Sequence, residues 1–260
     1  VSRLVVTGGR FHRYSLDGER VPNVTTIINK ATGKEGLIRW AAREAAIWAQ
    51  IHAEDAGQGE SWIREAAAAH ERKRDASGLA GRQVHSIAER LVFGEPVATE
   101  DPDTGAEYPD DVVRMGEQVA RFMDRWDVTP ETAVVEAPVF HEDAKYAGRL
   151  DLVATLRGGD RWLVDYKTGE SGVWPETGVQ LAAYSHATHI VIGERDMLMP
   201  PIQRCAALWV RPDMWELIPV KTDDHQFNVF RHMTFVAEWA SLKLEDTVGA
   251  PLPLPEVRAS

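Results

Sequence analysis

The chain has 260 residues, 44% of them apolar and 27% charged, so it can bury a sizeable core as one domain or two small ones. Its formal net charge of −11 argues against binding nucleic acid over a broad surface, because phosphate attraction needs local Lys and Arg. One cysteine, Cys205, excludes an internal disulfide framework and any Cys-rich zinc or iron–sulfur site.

Arg3–Phe11 and Tyr14–Val21 alternate like two strands, with a turn signal at Leu16-Asp17-Gly18, and predict an N-terminal β-hairpin. Val24–Ile28 reads as a short helix or an extended piece. Gly33–Ala53 carries Leu37, Trp40, Ala41, Ala45 and Trp48 near helical spacing. Ala-rich Glu60–Asp75 predicts a helix, and Gly78–Val92 another, with Leu79, Val84, Ile87, Leu91 and Val92 as its buried stripe. Gly94, Pro96, Pro102 and Gly105 make Phe93–Tyr108 a loop. Pro109–Asp127 returns to helix, with Val112, Met115, Val119, Phe122 and Trp126 on one side. Ala133–Phe140, Tyr146–Leu156 and Arg161–Tyr166 predict strands. Pro175 suits a first helical position and opens a helix to about Ile190. Arg204–Val210 and Trp215–Val220 form a predicted hairpin around Arg211-Pro212-Asp213, and Asp223–Lys243 a final helix. The order implies an α/β fold over residues 1–250: a mixed central β-sheet flanked by helices, with a helical lobe at about 33–127 and a core at about 79–220. Pro-rich 251–260 reads as a loose tail. No apolar run approaches the ~20 residues that span a bilayer. VSRLVVTGGR lacks a signal peptide's apolar centre. A cytoplasmic protein without membrane contact is expected.

Acids are unusual inside strands, yet Asp151 and Asp165 sit among Leu150, Leu152, Val153, Leu163 and Val164. The turn Arg157-Gly158-Gly159-Asp160 makes these segments antiparallel neighbours. Asp151 and Asp165 are symmetrically displaced from Arg157–Gly159 and fall close to opposite one another. Asp165 and Lys167, two apart, point the same way. Carboxylates that close repel unless a cation lies between them. Oxygen ligands suit Mg²⁺ or Mn²⁺. A lysine alongside can orient water or offset charge on a phosphate. The ordinary alternative is a surface pair ending a strand.

Further polar residues can join. Gln180 and Tyr184 share a helical face at i and i+4. Gly81 stands one turn before His85, an imidazole able to ligate metal, and Glu89 shares the His85 face. Glu136 is a third strand acid, turned either to the same cluster or to solvent. Arg82 and Arg149 neighbour these residues and could meet flanking phosphates or be ordinary surface charge. Arg72–Arg74 could form a rim for incoming phosphates or a solvated helix face.

In chain order, GRQVH (Gly81–His85), GRLD (Gly148–Asp151), DYK (Asp165–Lys167) and QLAAY (Gln180–Tyr184) resemble the G-x-x-x-H, G-x-x-D, D-x-K and Q-x-x-x-Y motifs of the RecB-like branch of the PD-(D/E)XK nuclease superfamily. Each motif is weak alone; the order and gaps make the set specific. The resemblance implies a restriction-endonuclease-like core. His85, Asp151, Asp165 and the Tyr166 backbone carbonyl would hold the metal, with Lys167 catalytic. Gln180 and Tyr184 would brace the site and meet the DNA backbone; Glu89 and Glu136 match less constant positions. With one cysteine and no Walker motif, the implied protein is a stand-alone, phage-type exonuclease without an iron–sulfur cluster. It would act on DNA in recombination, repair or replication, with recombination or replication proteins as potential partners, in a bacterial cytoplasm. The rivals are an idle DNA-binding scaffold that keeps the fold, and a sugar- or nucleotide-handling Mg²⁺ enzyme. The latter needs a phosphate-cradling Gly-rich loop, and Gly158-Gly159 is too short for one.

Overall fold

Alternating burial in the first segment builds a small antiparallel sheet. β1 (Leu4–Thr7), β2 (Arg13–Leu16) and β3 (Glu19–Val21) pair in that order in the computed structural model, which describes residues 2–8, 12–33 and 35–252. The predicted hairpin is thus three strands, because the Asp17-Gly18 turn divides the second predicted strand. Residues 9–11, predicted to extend the first strand, and tail residues 253–260 lie outside the described residues.

Asn23 accepts the Thr25 N–H and caps α1 (Val24–Ala31), which settles that segment as helix. α2 (Glu35–Ile51) lies against the first half of α3 (Glu60–Val92), with Trp48 against Trp62 and Trp40 against His70. The sequence predicts two helices across α3, yet one helix of 33 residues forms. A mid-helix glycine such as Gly78 costs only about 1 kcal/mol relative to alanine, and packing along both halves outweighs that. α4 (Asp110–Trp126) packs on the second half of α3 through Val112, Val119 and Phe122.

The main sheet comprises β4 (Ala133–His141), β5 (Tyr146–Thr155), β6 (Arg161–Lys167), β7 (His189–Ile192), β8 (Arg195–Leu198), β9 (Arg204–Val210) and β10 (Trp215–Pro219). Its order is β10-β9-β6-β5-β4-β7-β8, with β6 and β9 parallel and the other pairs antiparallel. α5 (Glu176–Ser185) stops before the predicted Ile190. His189-Ile190-Val191-Ile192 instead pairs with β4 and β8, as suits its β-branched residues. α6 (Asp224–Trp239) follows β10. No helix among the described residues is long and apolar enough to cross a membrane.

Each sheet face has its own core. Val84, Ile87, Val119 and Phe122 of α3 and α4 cover Leu152, Val164 and Leu208 on one side. Ile27, Leu181 and Phe230 of α1, α5 and α6 cover Val139, Leu150 and Leu163 on the other. Each such side chain contributes roughly 1.5–3 kcal/mol when fully buried. The N-terminal sheet rests through Leu4, Tyr14, Leu16 and Val21 on Phe140 and Ala147, and the Ala147 N–H donates to the Pro22 carbonyl at 3.0 Å.

Residues two apart in a strand share a face. In β5, however, Leu150 lies on the α5 face and Leu152 on the α3 face. In β4, Val135 and Ala137 part in the same way. The residues between them, Asp151 and Glu136, sit where the alternation breaks. Glu136 has a φ of 47°, in the left-handed region that side chains other than glycine rarely adopt.

Candidate active site

The break aligns three acids across three strands. Val135 opposite Leu152 and Ala137 opposite Leu150 bracket Glu136 and Asp151. Continuing the β5–β6 register past Leu152 opposite Val164 places Asp151 against Asp165. The regular ladder lapses at both positions. Asp151 Oδ2 instead accepts the Tyr166 N–H at 2.7 Å, so the sheet forks around a carboxylate.

Two polar groups meet at this fork. On the α3 side, His85 Nδ1 lies 3.0 Å from Glu136 Oε1 and 3.6 Å from Asp151 Oδ1. These three residues offer ligand atoms all within 4.8 Å of one another. On the α5 side, Lys167 Nζ lies 2.5 Å from Asp165 Oδ2. Gln180 Nε2 donates to Asp165 Oδ1 at 3.0 Å, and Lys167 Nζ donates to Gln180 Oε1 at 3.3 Å. Asp165 stands outside the His85–Glu136–Asp151 group because β6 keeps its alternation and turns Asp165 and Lys167 toward α5. Asp151, at the fork, borders both groups.

Burial pushes the His85 imidazole down, but the Asp151 charge and the Glu136 hydrogen bond outweigh it and raise the pKa to about 9. Burial pushes the Asp151 carboxyl up, reinforced by Asp165 and Glu136 and opposed by His85 and the Tyr166 N–H. Burial likewise works against the Lys167 ammonium, yet Asp165 prevails and raises its pKa. The fork thus gathers three carboxylates whose charges are balanced by the His85 proton, the Lys167 ammonium and the Arg149 guanidinium.

That pattern fits a divalent cation. Imidazole and carboxylate are its ordinary ligands. Asp165 Oδ2 is buried and, its ion pair apart, has no hydrogen-bond donor. A cleft of ≈ 420 Å³ leads to the group, lined by Gly78, Gly81, Arg82, His85, Ser86, Glu89 and Glu136. Another cleft, of ≈ 570 Å³, shares no residue with it, and its acids Glu100, Glu107 and Asp110 disfavour phosphate.

The remaining residues singled out by sequence fall around the fork. Tyr166 contributes its N–H, while its ring meets the His85 ring edge-on at 5.4 Å between centroids. Tyr184 is 3% exposed and packs on Gly148, where an added Cβ would come within 2.5 Å of its ring. Gly81 plays a similar part against Thr168, the residue after Lys167, at 3.2 Å. Arg149 Nη1 lies 3.9 Å from Glu136 Oε2. Arg82 and Glu89 are exposed on the cleft wall. Arg72, Lys73 and Arg74 pair with Glu65, Glu44 and Asp75, so that stretch is locally neutralised. Two residues outside the motifs anchor the chain beyond Lys167: Arg211 Nη1 donates to the Thr168 carbonyl and Trp209 Nε1 to the Gly169 carbonyl, each at 2.9 Å. No local sequence signal marks them, because their register follows from the parallel β6–β9 pairing.

No curated protein matches the chain. The family model of the PD-(D/E)XK nuclease superfamily matches residues 59–199, from the start of α3 past the end of β8 and over more than half of the 260 residues. The matched span contains the three strand acids, Lys167, His85 and Gln180 on a mixed sheet flanked by helices. The chain therefore belongs to the PD-(D/E)XK nuclease superfamily.

Proposed function

We propose that the protein is a Mg²⁺- or Mn²⁺-dependent deoxyribonuclease of the RecB-like branch, working as a phage-type exonuclease in DNA recombination, repair or replication within a bacterial cytoplasm. The observation that carries the chemistry is the row Glu136, Asp151 and Asp165 across β4, β5 and β6, with His85 on one side and Lys167 on the other. The branch, the exonuclease mode and the cellular role rest on the four ordered motifs.

His85, Glu136 and Asp151 would hold the cation, with the buried Oδ2 of Asp165 as a further ligand. When bound there, a divalent ion supplies Lewis acidity toward a phosphate oxygen and acidifies water. Lys167 is held as an ammonium by Asp165 and aimed by Gln180, so it donates rather than takes a proton. It orients the attacking water and offsets the charge that grows on the phosphate. The new bond joins the water oxygen to phosphorus as that water gives up a proton to solvent, and the bond to the 3′ oxygen breaks as that oxygen takes one up. The products are a 5′-phosphate and a 3′-hydroxyl.

The test is incubation with single- and double-stranded DNA, linear and circular, in Mg²⁺, Mn²⁺ or EDTA. Metal-dependent loss of linear DNA, sparing closed circles and abolished by Lys167→Ala, is the expected result. Tight binding without cleavage in every metal would support the idle scaffold instead.

A further inference from the structure

Resting on that reading, we propose that the N-terminal sheet seats Arg149 as a second phosphate clamp, gripping a backbone phosphate beside the scissile one. Arg149 follows Gly148 on β5, two residues beyond the rung where Ala147 meets Pro22. That rung and the shared Leu4–Tyr14–Phe140–Ala147 cluster fix the sheet against β5. Tyr14 is only 2% exposed, and among the described residues neither its hydroxyl nor the buried Arg149 Nε has a well-formed hydrogen bond.

The two orphans lie together. Burial raises the Tyr14 hydroxyl pKa, the Arg149 charge works against that rise, and the Glu136 charge works with it. His12, whose ring lies 6.3 Å from that of Tyr14, feels the same two charges. Buried polar groups without partners are costly and rare. Among the described residues the outer guanidinium nitrogens have one ionic neighbour, Glu136 Oε2 at 3.9 Å from Nη1, which lies beyond hydrogen-bond reach. The partner those outer nitrogens can take is an acceptor with negative charge.

Access fits this division of labour. The Arg149 side chain is 34% exposed, so its outer nitrogens can reach a ligand while Tyr14 holds the inner end. Glu136 also places the seat beside His85 and Asp151, at the fork. A planar guanidinium grips phosphate oxygens in pairs. The family match begins at residue 59, so Tyr14 and His12 belong to a part of the chain that it does not cover. Arg149 is then a binding residue, and Tyr14 a positioning residue that acts through it.

The experiment is DNA binding by fluorescence anisotropy in Ca²⁺, using oligonucleotides with one phosphate at a time replaced by neutral methylphosphonate. Wild type should lose about tenfold in affinity at one position next to the scissile phosphate. Arg149→Gln should bind about tenfold more weakly to unmodified DNA and be insensitive to methylphosphonate at that position. Its salt slope should fall by about 0.7–0.9. Tyr14→Phe should blunt the same position alone, with Arg149→Lys intermediate, and melting curves confirm that each variant is folded. If Arg149→Gln and Tyr14→Phe keep the full wild-type profile, the clamp is wrong while the nuclease reading stands. If wild type binds no DNA, both are wrong.

Discussion

Asp151 accepts the Tyr166 N–H at 2.7 Å where a regular sheet would continue its ladder between β5 and β6. A carboxylate that replaces a backbone rung holds two strands together and apart at once. The gap so made receives His85 from α3 and faces the Asp165–Lys167 pair on the α5 side.

Lys167→Ala should lower cleavage ~10²–10³-fold while leaving cation binding largely intact, because the ammonium acts on water and phosphate. Single-turnover rates and calorimetric Ca²⁺ titration of the same variant separate the two. Equal loss of both would assign Lys167 to assembling the cation site instead.

Glu136 combines a useful carboxylate with a left-handed backbone. Glu136→Gly removes the carboxylate and relieves the strain, whereas Glu136→Gln keeps the strain. In denaturant unfolding without metal, the glycine variant should be the more stable by about 1 kcal/mol. Both should bind the cation more weakly than wild type.

Gly148→Ala would drive a methyl group into the Tyr184 ring, which is buried and packed. The expected cost is about 1–3 kcal/mol in unfolding free energy. A loss of cleavage should accompany it, since Tyr184 shares α5 with Gln180.

The pH dependence has a definite sign. The folded-state pKa of His85, raised to about 9, contributes stability that is fully present below the usual value of 6.5 and lost as pH climbs through 9. Asp151, also raised, costs the metal-free fold stability as it ionises. A bound cation replaces the His85 proton and neutralises the carboxylates. The rise in melting temperature on adding Mg²⁺ should therefore be larger at pH 9 than at pH 6.5. A shift that is flat or reversed with pH would remove His85 from the cation site.

Much of this is legible in the sequence, for reasons of counting. Asp151 and Asp165 lie at equal distances from the Arg157–Gly159 turn, and strand alternation carries Lys167 to the side of Asp165. What counting cannot supply is the break in alternation at Glu136 and Asp151. It depends on a left-handed backbone angle and a side-chain-to-backbone bond. For that reason the sequence groups Asp165 with His85 and Asp151, whereas the structure places Asp165 with Lys167 and Gln180 and puts Glu136 beside His85. Long-range effects were equally hidden. Packing by α2 and α4 makes α3 continuous through Gly78, and pairing with β4 turns the predicted end of a helix into β7. Nothing in the local pattern of His12–Leu16 shows that Tyr14 abuts Arg149.

Anomalous diffraction from crystals soaked in Mn²⁺ tests the shared cation site most directly. The expected map has a peak within about 2.0–2.4 Å of Asp151 and of His85 or Glu136, with Asp165 turned toward it and Lys167 alongside. An empty fork at saturating Mn²⁺, with those oxygens still facing apart, would contradict it.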